Sequence, residues 1–157
     1  MFHIRQASID DLSQLAQLFD AYRQFYQQVP DLLLAKNFIA ERINRQESII
    51  FVAENVMTNE MTSEGKKLIG FCQIYPSFCS VAAAKIGVLY DLFVDENARK
   101  TGAGRTLMLA AQDYAANNGM VRLDLSTAKD NLKAQALYES LGWVHDDIFY
   151  TYSKAIK

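Results

Sequence analysis

The hydrophobic positions of this chain change period several times, and each change marks an element. The opening FHIRQAS alternates apolar and polar residues as a short strand does. SIDDLSQLAQLFDAYRQFYQQ then repeats apolar residues at Leu12, Leu15, Ala16, Phe19, Tyr22 and Tyr26, which is the spacing of one helix face. Ser8 and Asp11 ahead of it are spaced as a capping box. Pro30 interrupts, Asp31 offers a second cap, and LLLAKNFIAERINR reads as another helix ending before the β-branched run SIIFVAEN. The polar stretch VMTNEMTSEGK, residues 56–66, predicts a hairpin loop into the alternating strand KKLIGFCQIYPSF. A turn near Ser80 to Ala84 leads to KIGVLYDLFV, apolar on both faces and therefore expected at the centre of a sheet covered on each side by helices. Asp91 is its one carboxylate.

Helical spacing returns from Gly102 to Asn118, with Leu107, Ala110, Ala111, Tyr114 and Ala115 on one stripe and Gly119 as the stop. MVRLDLST is then a strand, and DNLKAQALYESLGW a helix with Ala134, Leu137, Tyr138 and Leu141 on one face and Gly142 at its end. The alternating DIFYTYSKAI closes the chain as a last strand. The predicted order is βααβββαβαβ, an α+β fold with a mixed sheet and helices on both faces, without internal repeats.

Composition narrows this picture. A length of 157 residues suits a single domain over 1–157. Half the residues are apolar and 16 basic side chains face 18 acidic ones, for a net charge of -2, which suggests neither disorder nor a nucleic-acid partner. MFHIRQASIDD turns polar too soon for a signal peptide and no apolar run approaches the ~20 residues of a membrane span, so a cytoplasmic location and no membrane partner are expected. Cys72 and Cys79 read as small buried hydrophobes rather than a disulfide framework. His3 and His145 lie in no ligand pattern, and no metal site is expected.

The chemistry concentrates in DENARKTGAGRTLMLAAQDYAANNG, residues 95–119. Only 7 glycines occur in the chain, and Gly102 and Gly104 sit two apart beside Arg99, Lys100 and Arg105, at the start of a long helix. Glycines there let a ligand approach bare main chain, and a helix N-terminus carries roughly half a positive charge, so an anion and above all a pyrophosphate suits it. The bland alternative is a tight turn with ordinary surface charge. No Gly-Lys-Ser/Thr follows and the third glycine of a dinucleotide fingerprint is missing, which argues against both ATP and NAD.

At this point the sequence resembles the GNAT superfamily of acyl-CoA-dependent N-acyltransferases. RKTGAG, Arg99 to Gly104, matches that family's pyrophosphate loop at every specified position. The preceding LFV and the later NLKAQALYESLGW are similar to its other signatures in order and spacing. The resemblance implies a GNAT fold, a three-layer αβα arrangement around a mostly antiparallel sheet of six to seven strands, and acetyl-CoA as cofactor. It implies that main-chain groups of Leu92, Phe93 and Val94 pair with the pantetheine arm, with a backbone NH near Leu92 polarising the thioester carbonyl. Amides and side chains from Arg99 through Lys100, Thr101, Gly102, Ala103, Gly104 and Arg105 to Thr106 would hold the pyrophosphate, and Asn131 and Ala134 would flank the cofactor. The strand containing Val94 would splay from that containing Leu125 to admit the acyl group.

The same resemblance implies that Tyr138 is the general acid that protonates the departing thiolate; its alternative is packing on the apolar face of its helix. A phenol near pKa ~10 remains a proton donor at neutral pH. Asp91 is the sequence's candidate base, because a carboxylate in an apolar strand must find a partner or have its pKa raised. Alternation would send Tyr90 and Asp91 to opposite faces, so Asp91 is equally placed to anchor a helix. Arg23, Tyr26, Tyr75 and Ser126 are candidate acceptor-site residues, Arg23 for a substrate carboxylate. The expected reaction is acetyl transfer to a primary amine of a small molecule or protein by direct attack through a tetrahedral intermediate. The alternatives are a non-catalytic CoA-binding regulatory module and a phosphate-binding protein unrelated to CoA. A homodimer through the last strand completes the expectations.

Overall fold

In a computed structural model the described residues are 1–56 and 66–156, so the predicted hairpin loop at 56–66 lies outside them except for its two ends. The elements are β1 (Phe2–Gln6), α1 (Leu12–Phe25), α2 (Leu32–Asn44), β2 (Ile49–Val56), β3 (Lys66–Cys79), β4 (Ala84–Val94), α3 (Ala103–Asn117), β5 (Leu123–Asp124) and α4 (Leu132–Ser140). Two compact units result, Met1–Leu125 and Ser126–Lys157.

Local chemistry starts the helices where the sequence places them. Ser8 and Asp11 close the capping box around a short 3₁₀ turn that leads into α1. Asp31 accepts from the Leu34 amide at 2.9 Å to open α2. The sheet of the first unit runs β1-β2-β3-β4-β5, antiparallel except for the parallel pair β4–β5. Helices cover both of its faces. On one, Leu15, Leu18 and Phe19 of α1 with Ala35 and Ile39 of α2 bury Ile50, Val52, Leu68 and Phe71. Cys72, the strand neighbour of Phe71 and therefore on the opposite face, donates through Sγ to the Leu107 carbonyl of α3, and Phe51 packs edge-on against Tyr114 of the same helix.

Two strand expectations change. The predicted strand MVRLDLST shortens to Leu123–Asp124, and the C-terminal DIFYTYSKAI forms no strand. Asp146 Oδ1 takes the amides of Ile148 and Phe149 at 2.8 and 3.3 Å, an Asx turn that bends the chain where strand pairing would begin. Among the described residues five strands stand in place of six or seven, and Leu125 and Ser126 lie beyond β5. Cys72 is fully buried as expected, whereas Cys79 is half-buried at the end of β3.

One ion cluster ties the sheet to the first turn of helix. Arg5 of β1 reaches Asp11 with both terminal nitrogens, at 2.8 and 2.7 Å, and Glu54 of β2 with Nε at 2.6 Å. The Arg5 hydrogen bond holds the Asp11 carboxyl below its ordinary range. Burial opposes the Glu54 charge, but Arg5 and then Lys66 more than offset it, and that carboxyl too is lowered. Depressed carboxylates contribute stability that is present above their unfolded pKa and lost as pH falls through the folded one. Arg5→Ala is therefore expected to cost roughly 2 kcal/mol at pH 7, less than the ~3–5 of a fully buried pair because Lys66 still faces Glu54. Urea unfolding at pH 7 and again near pH ~4 checks it: the deficit should shrink at the lower pH.

Candidate functional site

β4 is the element around which the candidate residues gather. It pairs with β3 from Ala84 to Val94 but with β5 only at Gly87 and Val88. From Leu89 onward, among the described residues, the main chain of β4 has a strand neighbour on one side alone. Leu92, Phe93 and Val94 lie in this open stretch, opposite Cys72, Phe71 and Gly70 of β3. The Val94 carbonyl already accepts from Arg99 Nε at 3.2 Å, so Arg99 braces the end of the strand rather than projecting freely from it.

The loop after β4 turns its backbone outward. Lys100 has φ 64 and Gly102 φ 90, two left-handed residues flanking Thr101. Such alternation makes a concavity of amide groups, and for a lysine it is a strained conformation of roughly 1–2 kcal/mol. Gly102 is the N-cap of α3 and supplies no capping side chain; a Cβ built there would meet nothing within 4 Å. Thr101 Oγ1 accepts a long 3.4 Å contact from the Ala103 amide and donates to the Ala98 carbonyl, while Thr106 Oγ1 donates back to Gly102 at 3.1 Å. Ala103 is buried and Gly104 half-buried, whereas Lys100, Arg105 and Thr106 are exposed. The result is an open, uncapped helix N-terminus with basic side chains beside it, which suits an anion.

Asp91 lies on the other flank of the open stretch and is 3% exposed. The register of β3 with β4 slips between Gln73↔Asp91 and Ile74↔Leu89, leaving Tyr90 as the extra residue of a bulge. Simple alternation is thereby broken, and Tyr90 and Asp91 join one cluster. Gln73 Nε2 donates to Asp91 Oδ2 at 2.6 Å, and Ser48 Oγ donates to Gln73 Oε1 at 2.7 Å. Tyr22 of α1 donates to the Tyr90 carbonyl at 3.2 Å and its hydroxyl also interacts with Asp91. Tyr75 packs on Tyr90 with ring centroids 5.7 Å apart. Burial raises the Asp91 pKa above the ordinary carboxylate range, and Gln73 and Tyr22 only partly oppose it. Burial and the Asp91 charge together push the phenols of Tyr22 and Tyr75 upward, so both stay protonated as donors.

Of the predicted acceptor residues, Tyr26 stacks edge-on with Tyr22 at 5.2 Å and Tyr75 belongs to the Asp91 cluster. Arg23 is engaged by Asp20 at 2.8 Å, and that carboxylate also receives the Gln24 side chain and the Asp31 amide. Sequence reasoning missed Gln73, Ser48, Tyr22 and Tyr90. Gln73 alone carried a signal, as the polar interruption of LIGFCQIY.

The second unit holds the remaining candidates. Asn131 caps α4, accepting from the Ala134 amide at 3.2 Å. Tyr138 is half-buried, with its ring 6.3 Å from that of Trp143. Ser126 is exposed and outside any strand.

Comparison with known proteins supplies a frame for this geometry. The sequence model of the acetyltransferase (GNAT) family matches residues 13–143. An uncharacterized N-acetyltransferase, YhfO of Bacillus subtilis (strain 168), is 43% identical over 96% of this chain and 95% of its own. The crystal structure of a probable acetyltransferase superposes with a TM-score of 0.86 at 35% identity, covering 99% of this chain and 98% of that one. An aminoglycoside acetyltransferase from an uncultured soil metagenomic sample, solved with sisomicin, shares the fold at a TM-score of 0.75 and 21% identity, over 99% of this chain and 97% of its own.

Asp91 generates a stability prediction. A carboxyl whose folded pKa is raised binds its proton more readily in the folded state, so its burial cost is present at neutral pH and relieved as pH falls. Asp91→Asn, which keeps an oxygen for Gln73, is expected to raise the unfolding midpoint at pH 7 and to lose that advantage near pH ~4. Denaturant titrations at the two values check it; the same difference at both would deny Asp91 a burial cost.

Proposed function

The chain belongs to the GNAT family of acetyltransferases, and from that premise we propose that it transfers the acetyl group of acetyl-CoA to a primary amine by direct attack. One observation carries the reading: an open main-chain edge on β4 is followed, after a 3₁₀ turn at Glu96–Ala98, by an uncapped, left-handed turn at the N-terminus of α3. An extended amide-bearing arm suits the edge, and a pyrophosphate suits the turn. Gly102, lacking a Cβ in open space, and the exposed Lys100 fit such a group.

In the proposed mechanism, bound acetyl-CoA supplies an activated acyl group with a good leaving thiolate. Leu92, Phe93 and Val94 orient the arm through their main chain, and a backbone amide near Leu92 hydrogen-bonds the acyl oxygen as charge builds on it. Asp91 takes a proton from the attacking ammonium, its raised pKa making it a better acceptor near neutrality than an ordinary carboxylate. Gln73, held by Ser48, keeps that carboxylate aimed. Tyr138 gives a proton to the departing sulfur. Acetyl passes from sulfur to nitrogen, and of the two protons the ammonium loses, one is matched by that delivered to the thiol and one is released to solvent.

Two measurements test this. CoA should raise the unfolding temperature in a concentration-dependent way, corresponding to about 2.7 kcal/mol at a hundredfold excess over its Kd. Gly102→Ala, which places a side chain at φ 90, should weaken that effect; no shift with millimolar CoA in the unmodified protein would sink the cofactor assignment. Tyr138→Phe should lower turnover by about 100-fold, the order expected of a general acid, and leave CoA affinity within a factor of two. Unchanged turnover would remove Tyr138 from the mechanism.

A further inference from the structure

We infer that the amine acceptor is an ammonium carried on an aromatic or apolar body and bearing no carboxylate, seated against Tyr22, Tyr26, Tyr75 and Tyr90 with Asp91 as its counterion. This rests on the transfer reading above and names the substrate class for that same site.

The charge balance is the first argument. Asp91 is buried, yet its partners are the amide of Gln73 and the hydroxyl of Tyr22, and among the described residues no cationic group lies within ion-pairing distance of it. Buried carboxylates ordinarily have a cation beside them, because desolvation is otherwise uncompensated. Arg42, whose charge reaches Tyr75, and Arg23 both have carboxylates of their own. Arg23 is neutralised by Asp20 at 2.8 Å, and Arg42 by Glu41 and Glu47 at 2.9 and 2.8 Å. When ionised, Asp91 therefore brings the cluster a negative charge without a cation beside it, and that charge adds to burial in raising the phenols of Tyr22 and Tyr75, opposed at Tyr75 by Arg42. An arriving ammonium supplies the missing countercharge. A carboxylate on the same molecule meets repulsion and, with Arg23 occupied, no partner there.

Ring chemistry is the second. Tyr22 and Tyr26 pair edge-on at 5.2 Å, Tyr26 and Phe25 at 5.2 Å, and Tyr75 and Tyr90 at 5.7 Å. The Tyr22 hydroxyl on the Tyr90 carbonyl joins the helix pair to the sheet pair. Tyr90 is 66% exposed, Phe25 52% and Tyr26 44%, large apolar surfaces left to solvent beside a buried charge. Aromatic faces attract cations through their quadrupole and pack apolar groups with their area. The apolar surface continues along the chain through the exposed Val29, Leu32 and Leu33 at the start of α2, which suits the body of the acceptor rather than its amine.

The test separates this from the transfer reading by measuring binding without chemistry. With the protein saturated with CoA, calorimetric titration of phenethylamine, phenylalanine and ethylamine should rank phenethylamine tightest, at least about tenfold ahead of each of the others. Tyr90→Ala, an exposed change that spares the core, should erase most of the advantage over ethylamine. Asp91→Asn should erase most of the advantage over phenylalanine. Equal affinities, a preference for phenylalanine, or a ranking indifferent to both variants overturns the proposal. Acetyl-CoA turnover is read separately with the same amines: turnover without the ranking leaves the transfer reading standing and defeats this one, and the ranking without turnover does the reverse.

Discussion

The structure of the first unit depends on where the pairing of β4 stops. β4 is held by β3 along its length, and β5 leaves it after Val88 and Asp124. Gly87 sets the closeness of that brief junction: a Cβ there would stand 2.6 Å from Leu123 Cδ2, 2.8 Å from Ile74 Cγ2 and 3.0 Å from Met120 Sδ. β5 is thus drawn in tightly at one point and released at the next. Had the ladder continued, the amides and carbonyls of Leu92 to Val94 would be satisfied within the sheet and would have nothing to offer an extended ligand.

A second irregularity works with the first. The bulge at Tyr90 shifts β4 by one residue against β3, and this puts Asp91 opposite Gln73, below Tyr22 and beside the open edge. The sheet surrenders a ladder position and obtains a buried carboxylate within a ring of tyrosines. Gln73 has one arrangement that satisfies both neighbours while Asp91 is ionised, with its NH₂ toward the carboxylate and its oxygen toward the Ser48 hydroxyl. Protonation of Asp91 invites the reverse orientation, so the chain Ser48–Gln73–Asp91 couples the state of the carboxyl to the hydrogen bonding of a half-buried serine.

Several other carboxylates of the unit have an arginine beside them, and Asp91 does not. Arg5 answers Asp11 and Glu54, Arg23 answers Asp20, and Arg42 answers Glu41 and Glu47. Among the described residues this unit pairs those groups and leaves Asp91 without a cation, which places a burial cost beside its open strand edge.

The sequence by itself determined the order of the elements from β1 to α4, since period, capping residues and glycine stops are local properties: Ser8 with Asp11, Asp31 before α2 and Gly102 before α3 all act within a few residues. It also determined the family, because RKTGAG and NLKAQALYESLGW are contiguous signatures. It could not determine the last strand, because alternation in DIFYTYSKAI describes what a strand would bury and says nothing of whether the Asp146 turn wins the amides first. Nor could it place Asp91. Alternation counts residues along one strand, whereas the bulge at Tyr90 is a mismatch between two, and Gln73, Ser48 and Tyr22 come to the carboxylate from three other stretches of chain. Only tertiary structure decides such matters, because register, strand divergence and the pairing of a buried charge are relations between segments and have no local code.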